Sequence, residues 1–187
     1  MNAFEVSRHV AARLDEDGLP YAIGGALALT AWAIPRDTKD VDISVFASDS
    51  ELPRVFEALE RAGVMLDRAD ATKSIARIGM FTGRCGRTLV DVFVSQHPHF
   101  LEMHRRRTRL DYPGGPPLWF ISADDLCVMK LLYGRTKDVP DLERLFALSS
   151  VDVGYIRSWL ERMAPAGDRR FALLDDLERR FIRAPGG

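Results

Sequence analysis

Aspartates placed inside apolar strands are the feature that most constrains the fold of this chain. The stretch from Tyr21 to Phe46, YAIGGALALTAWAIPRDTKDVDISVF, reads as a strand, two glycines, an apolar helix, a polar turn and a second strand. In that second strand Asp40 and Asp42 stand among valines and isoleucines. Because an unpaired buried charge is costly, the two carboxylates must either be paired or hold a cation.

The spacing of the acids indicates a cation site. Strand side chains alternate between faces, so Asp40 and Asp42 point the same way, with Cα atoms about 6.8 Å apart. Asp91 interrupts another apolar strand, LVDVFVS. If the two strands are neighbours, three carboxylates share one face, and their mutual repulsion favours protonation unless a cation is present.

Magnesium is the cation that this set of acids predicts, because Mg²⁺ binds a few carboxylates together with waters and substrate phosphates. Two such ions about 3.5–4 Å apart form the clamp used for in-line displacement at phosphorus. The alternative is structural, since an Asp at a strand end commonly caps or turns the chain.

The glycine pair supplies a second indication. Gly24 and Gly25 lie between a strand and a helix N-terminus, where free N–H groups and the helix dipole favour a phosphate at close range. The following PRDTKD segment adds Arg36, Thr38 and Lys39, which either lie near a triphosphate or belong to a solvated loop. A tight turn is the alternative for the two glycines.

Composition is that of an ordinary globular protein, with 187 residues, 47% hydrophobic and 28% charged. The formal net charge of -1 gives no global basic field for nucleic acid. Cys85 and Cys127 are too few for a disulfide framework or a zinc site. The N-terminal segment does not read as a signal peptide, and no run approaches the roughly 20 apolar residues of a membrane span. We therefore expect a cytoplasmic protein without a membrane partner.

The order of elements predicts an α+β fold with a small mixed β-sheet flanked by helices. We expect this core over residues 1–121 and a helical C-terminal subdomain over 122–187. Helical spacing predicts an opening helix over Ala3–Asp15. Three further strands are predicted from VMLDRA, KSIARIGMF and RTLVDVFVS, and TRLDYPGGPPLWFIS is expected to be an extended, turn-rich link.

These motifs together resemble a known family. GGALALTAWAIPRDTKDVDI resembles the signature of the nucleotidyltransferase superfamily built on the DNA polymerase β-like fold: two small residues, a helix, Asp-x-Asp, and a third Asp on a later strand. The chain looks most like the AbiEii/MenT-type toxin branch. There Arg-x-Thr-x-Asp-hydrophobic-Asp is frequent, and a helix lysine precedes an Asp-containing helix, as in VMKLLYGRTKDVPDLERL.

The resemblance implies a role for each matching residue. Gly24 and Gly25 would hold the triphosphate, while Asp40, Asp42 and Asp91 would bind Mg²⁺ as two ions. Asp91 would also help to activate the acceptor hydroxyl.

The resemblance extends to the helical segment. Lys130 would contact nucleotide phosphates, and Asp141 would match the branch's downstream acid. Lys130 stands among apolar neighbours, where an ammonium needs a partner or must extend to solvent.

The reaction implied is transfer of an NMP from an NTP to an acceptor hydroxyl, with release of pyrophosphate. In the toxin-like branch the acceptor would be the tRNA 3′ end or a protein, and an antitoxin would be a partner. A small-molecule transferase of the antibiotic type, and a non-catalytic nucleotide-binding or partner-binding module, remain as alternatives. The basic run from His104 to Arg109 is either a grip on a phosphate backbone or a solvated helix end.

Overall fold

The computed structural model describes residues 1–95, 97–112 and 114–182. The chain forms two compact units. The first unit comprises Met1–Ala28 and Pro35–Ile121, and the second comprises Leu29–Ile34 and the described chain from Ser122 onward. These units differ from the predicted division at residue 121 in one segment, because Leu29–Ile34 group with the later helices.

The first unit contains a mixed six-stranded sheet and its helices. Its elements in chain order are α1 (Ala3–Glu16), β1 (Tyr21–Ile23), the start of α2 (Gly25–Trp32), β2 (Asp40–Val45), α3 (Leu52–Arg61), α4 (Arg68–Ile78), β3 (Met80–Cys85), β4 (Thr88–Phe93), α5 (Pro98–Arg106), β5 (Thr108–Leu110) and β6 (Leu118–Phe120). The sheet order is β3-β4-β2-β1-β6-β5. Strands β2 and β4 run parallel, as do β1 and β6, and the other three neighbouring pairs are antiparallel. The predicted α+β class with a mixed sheet flanked by helices is confirmed.

The two faces of this sheet differ in chemistry. Residues directly opposite one another in neighbouring strands point to the same side, so the register assigns each residue to a face. One face is mostly apolar, and six of its central residues have no exposed surface: Ile23, Val41, Ile43, Val90, Val92 and Phe120. The other face carries the polar residues Asp40, Asp42, Ser44, Thr82, Arg84, Asp91 and Arg109 together with Ala22, Met80, Leu89, Phe93 and Trp119. All three predicted acids therefore lie on one face, which we call the polar face.

Helix α1 begins at a complete capping box. The Asn2 side chain accepts from the Glu5 backbone N–H, and the Glu5 carboxylate accepts from the Asn2 backbone N–H. Its apolar residues recur at helical spacing and are buried, and the helix packs on β1, β2 and α3. The predicted opening helix is present, one residue longer than expected.

Two of the predicted strands are wrong over most of their length, although Met80 and Phe81 at the end of KSIARIGMF begin β3. KSIARI belongs to helix α4, because Asp67 caps the helix start by accepting from Asp70 N–H and Gly79, with a φ of 71°, ends it. VMLDRA contributes a single isolated bridge between Met65 and Arg84. The expected link TRLDYPGGPPLWFIS instead contains β5 and β6.

The second unit is helical in all its described elements. Besides the later part of α2 it contains α6 (Ala123–Tyr133), α7 (Asp138–Leu148), α8 (Val153–Met163) and α9 (Arg169–Phe181). Helix α6 packs on α7, α8 and α9. Ser122 caps α6 by accepting from Asp125 N–H, and Gly134 ends the helix in the left-handed conformation. Within the described residues, no helix combines the length and apolar character needed to cross a membrane.

Candidate active site

The two central carboxylates lie side by side on the polar face. Strands β2 and β4 are parallel neighbours, and Asp42 stands directly opposite Asp91 in their register. Neighbouring strands are about 4.8 Å apart, so the two side chains leave the sheet at nearly the same point. Asp40 lies two residues before Asp42, opposite Leu89. The three acids share one face only if the two acidic strands are neighbours, and the pairing of β2 with β4 meets this condition.

Asp91 is oriented by a residue that the sequence analysis did not identify. Thr82 stands opposite Asp91 across β3 and β4, and its Oγ1 donates a hydrogen bond to Asp91 Oδ1 at 2.6 Å. Within the described residues the Asp91 carboxylate accepts this one hydrogen bond, at Oδ1, so Oδ2 can contact a ligand. The sequence carried no usable signal for Thr82, because its role depends on strand register.

Gly25 brings the start of helix α2 against Asp42. Gly24 N–H donates to the Asp42 carbonyl oxygen at 2.9 Å, which holds the turn beside β2. Gly25 has a φ of 55°, and a Cβ atom built on it would lie 1.9 Å from Asp42 Oδ2. Glycine is therefore favoured by the backbone conformation, and any side chain at this position would also have to displace the Asp42 carboxylate. The carboxylate and the N-terminal end of α2 meet at this one residue.

The polar loop before β2 is tied to the backbone. Thr38 Oγ1 lies 3.3 Å from Asp40 N and 3.2 Å from Asp40 O, so its hydroxyl fixes the start of the acidic strand. Arg36 donates from Nη1 to the Asp37 carbonyl oxygen at 3.4 Å, and Lys39 is exposed. The predicted triphosphate contacts of Arg36 and Thr38 remain predictions.

Lys130 and Asp141 belong to the second unit, where they pair with each other. Lys130 is 2% exposed and donates from Nζ to Asp141 Oδ2 at 2.6 Å. Asp138 Oδ1 lies 3.5 Å from the same ammonium, and both carboxylates are fully buried. In this structure the Lys130 ammonium contacts two carboxylates of its own unit, and its predicted contact with nucleotide phosphates remains a prediction.

The donor set can be compared with the needs of a metal ion. In the part of the chain that the structure describes, no group of three or more His, Cys, Asp or Glu side chains is arranged to hold one. Asp42 and Asp91 nevertheless place carboxylates side by side, and Mg²⁺ takes one or two protein carboxylates with waters and substrate phosphates. The residues present fit that kind of ion, and the third ligand predicted at Asp40 remains a prediction.

Comparison with solved structures gives the class of fold. The antibiotic-resistance factor ANT(2'')-Ia, in its solution structure, aligns at a TM-score of 0.52 and 17% identity, over 98% of this chain and 96% of that chain. A protein from H. pylori described as a "putative nucleotidyltransferase" aligns at 0.53 and 12% identity, over 99% and 97%. At these identities the likeness concerns the fold, which is nucleotidyltransferase-like.

Comparison of sequences gives the family. The family described as "Nucleotidyltransferase of unknown function (DUF6036)" matches residues 5–177. The chain belongs to this family. No curated protein matches it.

Proposed function

We propose that this protein is a Mg²⁺-dependent nucleotidyltransferase that moves an NMP from an NTP to an acceptor hydroxyl and releases pyrophosphate. One observation carries the proposal: Asp42 and Asp91 stand opposite each other on parallel strands, and Asp42 packs against Gly25 at a helix N-terminus. Family membership and the nucleotidyltransferase-like fold support the same reaction.

The chemistry divides among this chain's own residues. The acceptor oxygen forms a bond to the α-phosphorus while the bond from that phosphorus to the pyrophosphate oxygen breaks, and pyrophosphate leaves with the electron pair. Asp91 Oδ2 receives the hydroxyl proton and passes it to water, while Thr82 holds Oδ1. The N-terminal N–H groups of α2 after Gly24 and Gly25 bind phosphate oxygens.

Asp40, Asp42 and Asp91 are the residues that would hold Mg²⁺. When bound, the metal neutralises charge on the phosphates and lowers the pKa of an attached hydroxyl. The two-ion arrangement is part of the proposal, because neighbouring carboxylates repel one another without a cation.

The acceptor and the biological setting are the finer part of the proposal. Arg36, Thr38 and the acidic strand follow the AbiEii/MenT-type pattern, which favours a tRNA 3′ end or a protein hydroxyl and an antitoxin partner. Cys85 and Cys127 are free and buried, in keeping with a reaction in the reducing cytoplasm. A second candidate is a small-molecule acceptor of the antibiotic type, because one structural neighbour is an antibiotic-resistance factor.

The test is a transfer assay with each of four α-³²P-labelled NTPs, Mg²⁺ and, in turn, total tRNA, the protein itself and an aminoglycoside antibiotic. We expect label to move to one acceptor, and Asp42→Asn to lower the rate about 100- to 1,000-fold, as expected for a group acting on transition-state charge. Asp70→Asn is the matched control, because its side chain is 76% exposed on α4. Equal rates for Asp42→Asn and wild type would reject the site.

Transfer must also stop when EDTA removes Mg²⁺. Nucleotide binding without transfer to any acceptor would instead indicate the non-catalytic module. Aminoglycoside labelling alone would establish the second candidate.

A further inference from the structure

The basic run at the end of α5 contains two arginines that lie on the polar face of the sheet. Arg109 is the register partner of Trp119 between β5 and β6. The guanidinium carbon of Arg107 lies 4.4 Å from the centroid of the Trp119 ring, and that of Arg109 lies 5.8 Å from it. We call Arg107, Arg109 and Trp119 the arginine shelf.

Each guanidinium is held by the protein while keeping donors free. Arg107 Nη1 donates to the Tyr21 carbonyl oxygen at 3.4 Å, and Arg109 Nε donates to the Pro117 carbonyl oxygen at 3.4 Å. Among the described residues, neither arginine forms an ion pair, whereas the neighbouring Arg105 pairs with Glu102 at 3.5 Å. A guanidinium has five N–H donors, so most of those on the shelf remain unused.

Arg107 is also partly desolvated. It is half-buried between the rings of Trp119 and Phe46, whose centroid lies 5.8 Å from its guanidinium carbon. Burial lowers the pKa of Arg107 from its usual value, and the negative charge of Asp15 opposes this shift. A partly desolvated guanidinium that forms no ion pair within the described residues favours an incoming anion, and its planar shape fits phosphate oxygens two at a time.

The shelf and the carboxylates face the same side of one sheet. Strands β4, β2, β1, β6 and β5 are consecutive in the sheet order, so the backbones of β4, which carries Asp91, and β5 are four spacings, or about 19 Å, apart. A reacting hydroxyl at Asp91 and a phosphate on the arginines can therefore belong to one acceptor molecule. A polycationic antibiotic would instead meet two unpaired positive charges at the shelf.

We infer that the arginine shelf binds a phosphate group of the acceptor, so that the acceptor of this enzyme is phosphate-bearing and not a polycation. This inference rests on the proposed function, because it takes the phosphate-bearing molecule to be the acceptor of the transfer reaction. Phosphate binding by the shelf can nevertheless be measured without turnover. The phosphate can come from a nucleic-acid strand or from a small phosphorylated molecule.

The test is the fluorescence anisotropy of a labelled single-stranded oligoribonucleotide titrated with the full-length protein at several NaCl concentrations, without NTP or Mg²⁺. Each phosphate contact on a single strand contributes about 0.7 to the slope of log K against log salt. We expect Arg109→Gln to reduce the slope by about 0.7, and Arg107→Gln with Arg109→Gln to reduce it by about 1.4.

Arg105→Gln is the matched control, because it removes a charge from the same run at a side chain that is 79% exposed and paired with Glu102. It should leave the slope unchanged. Arg109 is exposed, so Arg109→Gln should keep the wild-type unfolding midpoint. The single variant therefore tests the shelf even if replacing the half-buried Arg107 destabilises the protein. Equal slope losses for Arg105→Gln and Arg109→Gln, or none for the double variant, would overturn the inference.

Competition identifies the source of the phosphate. Displacement of the oligonucleotide by AMP or inorganic phosphate at similar concentrations, sensitive to Arg109→Gln, supports a small phosphorylated acceptor. Displacement only by longer strands supports a nucleic-acid acceptor. An aminoglycoside that binds the protein equally well with and without the shelf arginines, and accepts label, would overturn the inference while leaving nucleotidyl transfer intact. Shelf binding without any transfer would instead reject the proposed function alone.

Discussion

Gly25 is the first residue of helix α2, and the Asp42 carboxylate lies beside it at the N-terminal end of that helix. Its φ of 55° and the 1.9 Å separation between a built Cβ and Asp42 Oδ2 are two separate obstacles to any side chain. Gly86 has a similar φ of 59° with nothing within 4 Å of the corresponding Cβ. Comparing alanine substitutions at Gly25 and Gly86 therefore separates the free-energy cost of a positive φ from the cost of a clash with Asp42.

We predict that Gly86→Ala lowers the free energy of unfolding by about 1–2 kcal/mol, the cost of the left-handed conformation. Gly25→Ala should lower it further, since the Asp42 carboxylate must also move, and should abolish transfer. Urea unfolding of the two variants measures the difference. Equal losses of stability would show that Asp42 moves away without cost.

Thr82 supplies a second prediction at this scale, which depends on the proposed reaction. Thr82→Val removes the hydrogen bond to Asp91 Oδ1 while keeping the shape of the side chain. We expect kcat to fall about 10- to 100-fold, as for other groups that orient a ligating carboxylate, with little change in KM for the NTP. Thr82→Ser should restore most of the rate.

Thr72→Val is the matched control for Thr82→Val, because Thr72 is an exposed threonine whose hydroxyl bonds to the Arg68 carbonyl oxygen on α4. Steady-state kinetics of the three variants would check the assignment. A rise in KM with kcat unchanged would show that Thr82 contributes to nucleotide binding and not to the orientation of Asp91.

At the scale of elements, α6 and α7 are joined through a buried charge. Lys130 on α6 is bonded to Asp141 on α7 and lies near Asp138, and Arg144 and Arg135 reach the same carboxylates from the surface. Removing one partner of a buried pair leaves the other charge uncompensated, at a cost of about 3–5 kcal/mol.

We therefore predict that Lys130→Ala lowers the free energy of unfolding by about 3–5 kcal/mol in a urea titration. Lys73→Ala, at an exposed lysine paired with Asp70 on α4, should change it by no more than about 0.5 kcal/mol. Unchanged stability of Lys130→Ala together with lost nucleotide binding would favour the role that the family resemblance gave to this lysine.

The elements also show which parts of the fold the sequence determines. Helices with strong periodicity or clear caps, such as α1 and α6, are readable from the chain alone. The isoleucines in the second half of α4 stand in a short apolar run that favours a strand, yet in the structure the helix buries only Ala71. Its helical state depends on the caps at Asp67 and Gly79, which outweigh the local pattern.

The candidate site divides in the same way. Asp40, Asp42 and Asp91 are identifiable because a carboxylate in an apolar strand is unusual. Thr82 and the arginine shelf are not, because each depends on which strands pair and in what register. A short strand such as β5 carries too few residues to fix its register by pattern alone.

At the scale of the whole molecule, helix α2 is shared between the two units. Its first residues group with the sheet, and Leu29–Ile34 group with the C-terminal helices. Leu29 is completely buried, and Ser149 Oγ of the second unit is hydrogen-bonded to the Trp32 carbonyl oxygen. A fragment that ends at Ile121 would therefore contain Leu29 but lack the C-terminal helices with which it groups.

This division predicts opposite effects of one substitution in two contexts. In the full chain, Leu29→Ser should lower the free energy of unfolding by at least about 2–5 kcal/mol, because it removes a core side chain and buries a hydroxyl. In a fragment of residues 1–121 the same substitution should increase the monomeric fraction in size-exclusion chromatography, because it removes an exposed apolar residue. Leu59→Ser, at a buried position of α3, should be harmful in both. A fragment that is monomeric with Leu29 and is damaged by Leu29→Ser would place that residue in the core of the first unit.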